Sequence, residues 1–101
     1  MRDIREFSTY FSGIYITNIE LFEFAKSISF DIPLLSTEEL FGKIDGYCNS
    51  KNISKEFDGF LVSVIDDRID IYNQLKSLSN HSIIDTWIAK ADNLKSHIIN
   101  G

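Results

Sequence analysis

Gly59-Phe60-Leu61-Val62-Ser63-Val64-Ile65 is the stretch whose conformation decides the fold class. Its β-branched and aromatic side chains suit a strand as well as a helix. A strand here needs a partner, and the other candidate is Gly13-Ile14-Tyr15-Ile16. A two-stranded ribbon with no further support is marginal. A wider window favours the helix. Phe57, Leu61, Val64, Arg68, Ile71, Leu75 and Leu78 recur at alternating spacings of four and three, interrupted only by Arg68. That spacing predicts one helix from about Ser54 to Leu78 with a continuous seam, and Gly59 as the first place to look for a break.

The segments on either side carry the same periodicity. Downstream, a helix starting near Ser82 places Ile84, Trp87, Ile88, Ala91, Leu94 and Ile98 on one stripe. Upstream, Ser36-Thr37-Glu38-Glu39 reads as a capping box ahead of Leu40, Phe41, Ile44, Tyr47 and Cys48, and residues 49–52 read as a loop. Residues 30–35 cannot continue a helix, because the residue before Pro33 is pushed toward extended geometry. Before them, Thr17-Asn18-Ile19-Glu20 is another capping box, followed by Leu21, Phe24, Ala25 and Ile28 at helical spacing. A further amphipathic segment opens the chain, with Asp3 as cap, Ile4, Phe7 and Phe11 on one face and Gly13 as stop. No linker, repeat or low-complexity tract interrupts this order. The expectation is a single all-α domain over residues 1–101, a bundle of four or five helices.

The 101 residues are 44% hydrophobic and 25% charged, the composition of one ordinary globular domain. Such a chain has no room for a cofactor domain beside a substrate domain. Nothing near Met1 reads as a signal peptide and no apolar run is long enough to span a bilayer, so a reduced, cytoplasmic location is expected. Few side chains are placed for chemistry. Cys48 lies on an apolar stripe, where a buried, inert thiol is expected. His81 reads as a loop residue, and His97 as a last-turn residue suited to the helix dipole. Ser63 and Ser82 have no His at a spacing that would orient a base. No phosphate loop and no metal-ligand spacing occurs, so no cofactor and no enzymatic activity is expected.

The charge is more informative. The chain carries a formal −5, and residues 56–70 set only Arg68 against Glu56, Asp58, Asp66, Asp67 and Asp70. An acidic chain without a basic stripe is a poor binder of nucleic acid or anionic membrane. A solvated helix face would account for the acids, but their concentration is also what electrostatic capture of a basic partner uses. Phe22, Tyr10, Tyr15 and Tyr72 lie off or at the margin of the stripes, as core-completing residues or as interface anchors.

Two stretches resemble the colicin D immunity protein family, small acidic helical proteins that neutralise a toxin nuclease. Ile16-Thr17-Asn18-Ile19-Glu20-Leu21 is similar to the opening of that family's second helix, and Glu38-Glu39-Leu40-Phe41 to a Glu-Glu-Leu-Phe run opening the third. The likeness runs through the first half and stops after Tyr47. It implies an immunity protein whose partner is a basic cytotoxic nuclease, an RNase toxin of interbacterial competition, with occlusion of the toxin's active site as the mechanism. Asp66, Asp67 and Asp70 are expected to carry the contact, then Asp58, Glu38 and Asp45, with Tyr72 as an aromatic anchor. No direct contact with nucleic acid or membrane is expected, and the free protein is expected as a monomer or weak dimer. The alternative is a non-catalytic helical adaptor that pairs through the apolar seam of residues 57–78.

Overall fold

In the computed structural model, which describes residues 16–79 and 82–100, residues 59–65 lie inside one unbroken helix, Ser54–Leu78. The chain does not break at Gly59. Burial of Phe57, Leu61, Val64 and Ile65 on the helix overrides the strand preference of the β-branched residues. Among the described residues four helices follow in order: α1 (Asn18–Ser27), α2 (Thr37–Ser50), α3 (Ser54–Leu78) and α4 (Ser82–Asn100). The described residues contain no strand, and the fold is all-α. The expected first helix near residues 3–13 lies outside the described residues, as do Tyr10, Tyr15 and His81.

Local chemistry explains the boundaries. At the start of α1 the capping box is complete: the Glu20 amide donates to Thr17 Oγ1 at 3.1 Å, and the Thr17 amide donates to Glu20 Oε1 at 3.1 Å. At α2 the expected box forms differently. Ser36 Oγ accepts from the Glu39 amide at 3.3 Å, but the Glu39 carboxylate takes the Ser36 hydroxyl at 2.9 Å rather than its backbone amide.

Both helices end in the same reversal. Ser29 (φ 60°) follows α1 and Asn52 (φ 63°) follows α2. Each left-handed residue turns the chain so that the next amide reaches back to a carbonyl in the last turn, Phe30 to Ala25 and Ile53 to Cys48, both at 2.8 Å. Residues 49–52 are therefore not the loop expected from their composition. The helix runs through Ser50 and a tight turn delivers the chain to α3.

The core forms where α1 and α2 meet one side of α3. Phe57 is fully buried, 5.2 Å from the Phe41 ring and 5.6 Å from Phe24, while Phe24 also stacks on Phe60 at 4.5 Å. Ile16, Leu21, Ala25, Leu40, Ile44, Cys48, Leu61, Val64 and Ile65 belong to the same buried cluster, and Ala91 and Leu94 of α4 join it. On its other side α3 packs antiparallel against α4. Asp66 pairs with Lys95, Tyr72 meets Trp87 at 5.5 Å, and Lys76 pairs with Asp85. The expected α4 stripe faces inward, with Ile84, Ala91 and Leu94 buried.

The seam of α3 is buried only in part. From Phe57 to Val64 it lies under α1 and α2, and Arg68 meets Glu20 of α1. Beyond that point Ile71 is 42% exposed, Leu75 41% and Leu78 84%. At 1.5 Å per residue this 25-residue helix is about 37 Å long, most of the molecule's 43 Å long axis.

Candidate functional site

Asp66, Asp67 and Asp70 fall within little more than one turn of α3, and all three are exposed. They are not electrostatically alike. Asp66 Oδ1 accepts from Lys95 Nζ of α4 at 2.7 Å. That hydrogen bond holds the Lys95 ammonium above its ordinary pKa. Asp67 Oδ2 accepts from Arg68 Nη1 at 2.7 Å. Asp70 has no cation among the described residues within pairing distance.

Arg68 accounts for the interruption of the apolar seam. Its Nη2 lies 2.6 Å from Glu20 Oε1, the oxygen that also takes the Thr17 amide and hydroxyl. Glu20 thus closes the cap of α1 and ties that cap to α3. Asp67 and Glu20 share Arg68, and their combined charge stays negative. Glu20, Glu23 and Asp67 then converge with the rings of Phe24 and Phe60 around a groove of about 450 Å³ between α1 and α3. The contribution of α1 to the acidic surface was missed by sequence reasoning. The signal for it was Arg68, since a cation on an apolar stripe calls for a carboxylate from a packed neighbour.

The other candidates are scattered. Asp45 is 1% exposed and engaged within the fold, so it is withdrawn from any surface that meets a partner; it lies on the buried face of α2 with Leu40, Phe41, Ile44 and Cys48. Asp58 is half-buried and also engaged within the fold. Glu38 is exposed in the first turn of α2, where a carboxylate suits the helix dipole whatever else it meets. Tyr72 is half-buried against Trp87, and burial raises its phenol pKa despite the opposing Arg68 charge. It is a packing residue of the α3–α4 pair rather than an open anchor. Cys48 is fully buried, while Ser63 and Ser82 are exposed and His97 is in the last turn of α4.

Among the described residues no three His, Cys, Asp or Glu side chains gather as a metal site, and no helix is long and apolar enough to cross a membrane. No family model, curated protein or solved structure matches this chain.

Proposed function

We propose that this chain is an immunity protein that binds a basic cytotoxic nuclease and blocks its active site with carboxylates. The observation that supports this most directly is the exposed acidic turn of α3, with Asp70 unpaired among the described residues and Asp67 beside the Glu20–Glu23 groove. Carboxylates so placed would occupy positions where a nuclease holds phosphates, and their field would speed encounter with a basic surface. Asp66, held by Lys95, contributes through the same edge at lower net charge.

The test is co-purification with the product of the neighbouring upstream reading frame, and rescue of cells expressing that product. Rescue is expected. Asp66→Lys, Asp67→Lys and Asp70→Lys together are expected to weaken binding by roughly a hundred-fold and to abolish its salt dependence. Unchanged affinity and unchanged salt dependence would refute the acidic mechanism even if rescue persisted.

A non-catalytic adaptor is the second reading, favoured by the exposed row of Ile71, Leu75 and Leu78. A stable homodimer in sedimentation, lost on Leu75→Ser, would support it over an immunity role.

A further inference from the structure

We infer that the outer half of α3 is a docking face for a basic amphipathic helix of the partner protein. The identity of that partner rests on the immunity function proposed above; the face itself rests on two observations. The first is the row Ile71, Leu75 and Leu78, which continues the spacing that buries Phe57, Leu61 and Val64 but is exposed. A partner helix seats its own stripe in such a row through residues repeating every three and four positions.

The second observation is charge. One flank of the row is closed by α4, where Tyr72 meets Trp87 and Lys76 pairs with Asp85. At 3.6 residues per turn, Asp67 and Asp70 stand on the opposite, open flank. Arg68, at the row's inner end, is already held by Glu20 and Asp67 and leaves no unanswered positive charge there. A helix entering from the open side therefore meets carboxylates along its edge, and Lys or Arg on that edge completes the contact. A second copy of this chain would bring the same carboxylates, and a formal charge of −5, against one another, which disfavours self-pairing.

The experiment is an NMR titration of the full chain with an 18-residue helical peptide bearing a leucine stripe flanked by lysines. The same peptide with glutamate flanks serves as control. With the lysine peptide, the methyl signals of Ile71, Leu75 and Leu78 are expected to shift, whereas the glutamate peptide leaves them in place. Leu78→Ser, at the most exposed position of the row, and Asp70→Lys are each expected to weaken binding about ten-fold with thermal unfolding little changed.

Four results would overturn the inference. These are shifts confined to other helices, equal binding of both peptides, a dimer of the free chain lost on Leu78→Ser, or methyl contacts in the free chain from this row to Ile4, Phe7 or Phe11. The two proposals fail separately. Rescue that survives Leu78→Ser with Leu75→Ser removes this face and leaves the immunity role. Lysine-peptide binding here, with the upstream product neither bound nor neutralised, keeps the face and removes that role.

Discussion

Ser29 holds a left-handed φ of 60°, where a residue with a Cβ is strained, because the chain must turn sharply out of α1. The turn places the Phe30 amide 2.8 Å from the Ala25 carbonyl and fixes the entry into residues 30–36. Glycine carries no such strain but adds freedom to the unfolded chain, so the two effects partly cancel. Ser29→Gly is expected to stabilise the fold by about 0.5–1 kcal/mol, read as a higher denaturant midpoint at unchanged slope. Asn52→Gly is expected to gain less, because asparagine tolerates this conformation better than serine. Composition did not announce these turns, since neither position carries the glycine that usually marks one. Arg68 was legible as an exception on its seam. Its partner was not, because Glu20 is 48 residues away and only packing brings them together.

At the scale of elements, α3 tests propensity against burial. Gly59 lies inside it, exposed, and a Cβ built there meets nothing within 4 Å. The glycine therefore serves no close approach and costs helix stability. Gly59→Ala is expected to add about 0.5–1 kcal/mol, measured by chemical denaturation, with circular dichroism of the native state unchanged. A loss of stability would mean that the segment bends or opens there. The described helices were readable because periodicity and start signals agree: Thr17 and Ser36 both cap, and the apolar repeat of each segment picks out its buried face. Coverage was not readable. The same four-three repeat runs from Phe57 to Leu78, yet it records only the helix's own stripe and not how far its neighbours extend along it. Residues 49 and 50 show the smaller form of this limit, since polar residues in a last helical turn look like a loop.

The whole molecule has two regimes along one long helix. In the inner half of α3 all four helices contribute to one closed core, with Ala91 and Leu94 of α4 joining the rings and aliphatic side chains around Phe57, whereas near Leu78 the described contacts are those between α3 and α4. Amides of residues 61–65 are expected to exchange only through global unfolding, and those of residues 74–78 at least about ten-fold faster by local opening. Hydrogen exchange followed residue by residue checks this, and uniform protection would show the tip to be covered. At this scale the candidate acidic site was half legible. Asp66, Asp67 and Asp70 are exposed together as the spacing implied, but folding neutralises Asp66 with Lys95, shares Arg68 between Asp67 and Glu20, and takes Asp45 inside. Linear charge counts could not foresee pairings made between helices.

The tether from Glu20 to Arg68 marks the border between these regimes. On one side of it the apolar side chains of α3 are buried among their neighbours; on the other, Ile71, Leu75 and Leu78 stay exposed, so a changed side chain there costs folding far less. The outer half of α3 can therefore be rewritten by point substitution while the interior that supports it stands still.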